Sequence, residues 1–168
     1  MGTKIVNSPD NYKQNYKNSY ADYFKGLPWS YWITGTTRYP LSEKSNRRLL
    51  ERWYWSLSLP GSRLLFVAEP FDLRDGFHSH SLLYVPDDRW PISVYVDNWQ
   101  WATGNKDLKR ELWSRIQIRR YDSNQGAAGY CAKYLFKADS DYDLLVYNEE
   151  EKNNYISSQR YNNYNYSR

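Results

Sequence analysis

Cysteine, histidine and methionine are nearly absent from this 168-residue chain, which has one Cys, two His and one Met. With Cys131 as the lone thiol, an internal disulfide and a cysteine-based zinc site are both excluded, and a reducing, cytoplasmic compartment is the simpler expectation. No apolar run approaches the roughly 18 residues of a membrane span, and no hydrophobic signal region follows Met1, so no membrane partner is expected. Charge of one sign is scarce as well: 23 Lys+Arg against 19 Asp+Glu gives +4, a bias towards polyanions that matters only where the positive charge clusters. A Gly-x-x-x-x-Gly-Lys-Ser/Thr loop is missing too, which leaves no P-loop nucleotide site.

Aromatic residues, by contrast, are abundant. Eight Trp, 18 Tyr and 5 Phe exceed what the core of one domain of this length needs, so many must lie at the surface. Residues 1–26 and 148–168 are rich in Asn, Tyr, Lys and Ser without a sustained period and read as a polar arm and a polar tail around one domain, residues 27–147. Within that domain the β-branched and aromatic run from Trp29 to Arg38 predicts a strand. Ser42 predicts an N-cap for a helix to about Leu57 with Leu49, Leu50, Trp53 and Leu57 inward. Arg63 to Glu69 predicts a strand covered on both faces, residues 92–96 a short strand or loop, Asn105 the cap of a helix to Ser114, and Arg115 to Tyr121 an alternating strand.

The two histidines stand two residues apart in Phe77-His78-Ser79-His80-Ser81-Leu82-Leu83-Tyr84-Val85. Side chains alternate along a strand, so His78 and His80 share a face with Leu82 and Tyr84. The connection 70–76 is short enough for a hairpin, which sets Glu69 nearly opposite His78 and within reach of the same ion. Structural roles also fit these residues one by one: a hydrogen-bonded histidine pair, a strand-end carboxylate facing water. The run from Gln125 to Lys137 predicts a helix with two stripes, Tyr130, Lys133, Tyr134 and Lys137 on one and Ala128, Cys131, Ala132 and Leu135 on the other. The small stripe permits close packing and leaves two phenols and two ammoniums together. A divalent ion on His78, His80 and Glu69 would keep positions open for a phosphodiester oxygen, and a phenol with lysine nearby would be the attacking group.

In these residues the chain resembles the HUH endonucleases, above all the replication initiators of rolling-circle plasmids, phages and small single-stranded DNA viruses. Trp32-Ile-Thr-Gly-Thr-Thr-Arg38 stands where the family has a Thr-rich first motif, Phe77-His78-Ser79-His80 matches the metal motif with Glu69 as third ligand, and Tyr130-Cys-Ala-Lys133-Tyr134 matches the nucleophile motif. The likeness runs from about Trp29 to Lys137. It implies an α+β fold, a central antiparallel sheet with flanking helices like the RNA-recognition fold. It further implies metal-dependent nicking and joining of single-stranded DNA, at an origin hairpin in many members, through a 5′-phosphotyrosine, with Mg²⁺ or Mn²⁺ as the cofactor and no small-molecule cofactor. Tyr130 would be the nucleophile, Lys133 would position the phosphate, and Tyr134 would be either a second nucleophile or a packed aromatic. Arg38, Arg115, Arg119, Arg120 and Lys137 are the candidate DNA contacts. A host helicase or polymerase would complete replication. Ser79 replaces a bulky apolar residue of the pattern, and Gly35 interrupts the first motif. A non-catalytic single-strand binding module, or a transposase or relaxase of the same chemistry, are the competing readings.

Overall fold

The computed structural model describes residues 9–37, 39–103, 115–135 and 140–165, with side chains described from residue 12 to residue 157 within those ranges. Five strands form one antiparallel sheet: β1 (Tyr31–Thr36), β2 (Arg63–Pro70), β3 (Phe77–Tyr84), β4 (Arg115–Arg120) and β5 (Asp141–Val146), in the order β4-β1-β3-β2-β5. Helices α1 (Pro9–Lys25), α2 (Glu43–Leu57), α3 (Ile92–Ala102), α4 (Ala127–Tyr134) and α5 (Glu149–Asn165) flank it, which makes the protein α+β. The run β1-α2-β2-β3-α3-β4 with sheet order 4-1-3-2 is a split βαβ arrangement, with β5 added at the β2 edge.

Alternation along the strands divides the sheet into two faces, each with its own core. Tyr31, Ile33, Leu64, Phe66 and Leu83 pack under α2 and α3 against Leu49, Leu50, Trp53, Tyr95 and Trp99. Leu65, Val67 and Leu82 take the other face, beneath α4 and the end of α1, where Phe24, Ala127, Ala128, Cys131 and Ala132 close over them. The small residues of α4 let that helix sit close to the sheet, as their spacing predicts.

Ser42 caps α2, its hydroxyl accepting the Ser45 N–H at 3.2 Å, and Leu49, Leu50, Trp53 and Leu57 are all buried. The β2–β3 hairpin turns through residues 71–76, closed by Phe71 N–H donating to the Gly76 carbonyl at 3.0 Å. Gly76 has φ 96°, and a Cβ there would lie 2.7 Å from Pro40 Cα, so the turn requires glycine on both counts.

Five stretches differ from the sequence-based expectation. Residues 92–96 begin helix α3: Tyr95, Trp99 and Ala102 recur at helical spacing and are buried, and that burial outweighs the β-propensity of Ile92, Val94 and Val96. Within the presumed arm, residues 9–25 are helical and dock through Phe24 and Ala21, which are too few apolar residues to create a visible period. Within the tail, α5 starts at three glutamates that complement its N-terminal dipole, with Asn148 Oδ1 accepting the Glu150 N–H at 2.8 Å. The expected helix 125–137 opens with a 3-10 turn, Ser123–Gln125, passes through Gly126 in the left-handed region and becomes α4 only at Ala127. Strand β5 was not anticipated. The expected helix 105–114, Arg38 and Lys137 lie outside the described residues.

Gly35 and Ser79 are direct cross-strand partners. A Cβ on Gly35 would come within 2.7 Å of the Trp99 ring and 2.9 Å of Ser79 Oγ, so the Gly35 position has no room for a side chain. Ser79 is fully buried there, and its hydroxyl donates to the Gly35 carbonyl at 3.4 Å.

Candidate functional site

The hairpin register pairs Glu69 with His78 and Val67 with His80, as the short connection requires. All three polar side chains thus emerge on the α4 side of the sheet. Glu69 Oε1 lies 2.7 Å from His78 Nε2 and 3.7 Å from His80 Nε2, and one ligand atom from each of the three residues can be chosen so that all lie within 4.8 Å of one another. Thr34, which faces His80 across the β1–β3 pair, places Oγ1 3.2 Å from His80 Nδ1. A proton on Nδ1 shared with that hydroxyl leaves Nε2 as the ligating nitrogen. The His78 ring stacks on Phe71 at 4.6 Å, and the Arg74 guanidinium lies over the Phe71 ring at 3.7 Å.

Burial keeps both imidazoles neutral. Desolvation lowers the His78 pKa, and desolvation followed by the neighbouring His78 pushes His80 down to about 4. Glu69 Oε2, His78 Nδ1 and His80 Nε2 are buried without a hydrogen-bond partner, an arrangement that is costly when left unmet. One carboxylate and two neutral imidazoles with unmet lone pairs suit a divalent cation, so Glu69, His78 and His80 form a group able to bind a metal ion.

From α4 the Tyr130 ring comes down to 4.6 Å from the His80 ring, and its hydroxyl donates to Glu69 Oε1 at 3.4 Å. Tyr134, one turn later, is buried; its hydroxyl donates to Tyr130 Oη at 3.1 Å and its ring stacks on His80 at 6.4 Å. Burial raises both phenols above the usual tyrosine value, opposed at Tyr130 by the hydrogen bond from Tyr134. Lys133 is exposed, with Nζ 5.1 Å from the Tyr134 ring. His78, His80, Glu69, Tyr130 and Tyr134 therefore meet at one place, with Lys133 at its rim.

The arginines divide. Arg115 and Arg119 pair with Thr36 and Trp32, so they share the sheet face of Thr34 and His80 and stand exposed on β4 beside it. Arg120 points to the opposite face, where it caps the Tyr31 ring and forms an ion pair with Asp88. It is separated from the site by the sheet.

Sequence reasoning missed Phe71 and Arg74, and it placed Trp32 and Thr34 in the first motif without giving either a role; the Trp32 ring lies 6.5 Å from that of Tyr130. Their contacts depend on the β1–β3 register and on the shape of the hairpin turn, neither of which leaves a local pattern. No protein-family model, curated protein or solved structure matches the chain. Among the described residues no helix is long and apolar enough to cross a membrane.

Proposed function

We propose that the chain is a metal-dependent endonuclease and strand transferase of the HUH class, which nicks and rejoins single-stranded DNA as a replication initiator. The observation that carries this reading is the approach of the Tyr130 hydroxyl to within 3.4 Å of the carboxylate oxygen that also addresses both histidines. When bound by Glu69, His78 and His80, Mg²⁺ or Mn²⁺ would polarise the scissile phosphate and offset the charge that develops on it. Tyr130 Oη attacks phosphorus, the bond to the 3′ oxygen breaks, and the 5′ phosphate is left on the tyrosine. The phenol proton passes towards Glu69 Oε1, and the departing 3′ oxygen takes a proton from solvent. Tyr134 donates a hydrogen bond to the Tyr130 hydroxyl and helps to position it, and the exposed Lys133 at the rim would neutralise a phosphate. Arg115 and Arg119 on the open part of the sheet would hold the backbone of the incoming strand, with Trp32 as a surface for a base.

A single-strand binding module without catalysis is favoured by one observation, the exposed arginines of β4, but leaves the histidines and Tyr130 unexplained. The two are separated by incubating the protein with single-stranded oligonucleotides and Mn²⁺ and resolving the products on a denaturing gel. A covalent adduct is expected with wild type, none with Tyr130→Phe, and none with His80→Ala, which keeps most of its binding. An adduct that survives Tyr130→Phe would defeat the assignment. Binding without any adduct would favour the module.

A further inference from the structure

Helix α1 shows a stripe of tyrosines: Tyr12, Tyr16, Tyr20 and Tyr23 are 52%, 58%, 44% and 59% exposed. At 3.6 residues per turn their spacing gathers all four into one sector, less than a quarter of the helix circumference, with about 6 Å of axial rise between rings four residues apart. Lys13 and Lys17 border that sector on one side, Asn15 and Ser19 on the other, and Asp22 lies beyond the latter. Leu, Ile, Val, Met and Trp are all missing from the helix, so it offers neither the aliphatic face that a lipid surface takes up nor the anchors that a protein groove takes up. Flat rings edged by ammonium groups are instead the composition of a base-stacking track. The helix is fastened to α4 through Phe24 and Ala21, outside the tyrosine sector, so the track is carried on the same unit as Tyr130.

We infer that the tyrosine stripe of α1 is a secondary binding surface for single-stranded nucleic acid, which stacks bases outside the cleavage site; it extends, and in that respect rests on, the proposed nuclease reading. The stripe binds without sequence preference, because every base has a face to stack, and needs a strand long enough to reach beyond the Tyr130 pocket.

Because Tyr20 and Tyr23 touch Phe24, the test uses Tyr12 and Tyr16. Binding of fluorescein-labelled oligothymidylates of about 6 and about 30 nucleotides is followed by anisotropy for wild type, Tyr12→Ser/Tyr16→Ser and Tyr12→Phe/Tyr16→Phe, each in the full chain. The serine variant is expected to bind the long strand about tenfold or more weakly, to bind the short one unchanged, and to form the adduct with a short substrate as wild type does. The phenylalanine variant keeps wild-type affinity, since stacking needs the ring and not the hydroxyl. Unchanged long-strand affinity in the serine variant overturns the inference, as does loss in the phenylalanine variant. A change in sedimentation in place of DNA affinity would also overturn it, by marking a contact between copies. Failure of the nuclease reading looks different: long-strand binding that depends on Tyr12 and Tyr16 with no adduct at Tyr130 keeps the track and removes the cleavage.

Discussion

Thr34 is the side chain on which the geometry of the metal group turns, since its hydroxyl reaches the His80 nitrogen that faces away from Glu69. Replacing it by valine keeps the shape and removes the hydroxyl. Thr34→Val is expected to weaken Mn²⁺ binding by about 10- to 100-fold, measured by titration calorimetry, and unchanged affinity would remove Thr34 from the site. His80 also makes the metal-free fold sensitive to acid. Its folded pKa, about 4, lies below the unfolded value near 6.5, so between these values the unfolded chain binds more protons and stability falls as the pH is lowered through that window. The contribution is roughly 3 kcal/mol at pH 4 and is absent above pH 6.5. His78, shifted in the same direction, adds to it. Urea unfolding in the presence of a chelator should show His80→Gln losing less stability than wild type between pH 7 and 4.5; parallel losses would contradict this. The histidines and Glu69 were legible in the sequence because alternation and a short hairpin are local rules. Thr34 was not, because three threonines stand in and just after β1, and only the register with β3, set by a distant strand, selects one.

The elements least visible in the sequence are those whose stability is borrowed. Strand β5 is held at the sheet edge by Arg47 of α2, which forms an ion pair with Asp141, donates to Asp143 Oδ2 at 2.6 Å and reaches the Tyr142 carbonyl at 3.1 Å. Of its apolar side chains only Leu145 packs on the core, while Tyr142, Leu144 and Val146 are exposed, so no apolar alternation in the sequence announces a strand. Arg47→Met is expected to cost roughly 1–3 kcal/mol and to release β5 ahead of the other strands. Hydrogen exchange checks this: β5 amides that stay as protected as those of β2 would refute it. Helix α3 was hidden for a different reason: Ile92, Val94 and Val96 alternate in the sequence like a strand, while the buried Tyr95 and Trp99 decide the conformation from within the core. Where a cap and a wide apolar stripe coincide, as at Ser42 and Leu49 to Leu57 in α2, the element and its ends were readable directly.

Across the whole molecule the two halves of the candidate site have different origins in the chain. Glu69, His78 and His80 belong to one hairpin, whereas Tyr130 reaches Glu69 from 61 positions further along, carried on a helix that is docked by small residues and by α1. The antiparallel sheet and the flanking helices could be anticipated from the sequence, and so could the meeting of histidines, acid and tyrosine; the helical character of residues 9–25 and 149–165 could not, because each docks through very few apolar side chains.

The same separation bears on how the molecule matures. The hairpin closes a short loop and can gather its three ligands early, while the tyrosine arrives only after β1 has paired with β3 and α4 has packed, a long-range event with a larger closure cost. A chain caught partway would have the candidate ligands together without a phenol beside them. On the proposed nuclease reading, cleavage would then be confined to the finished fold, and incompletely folded copies would leave nearby DNA intact.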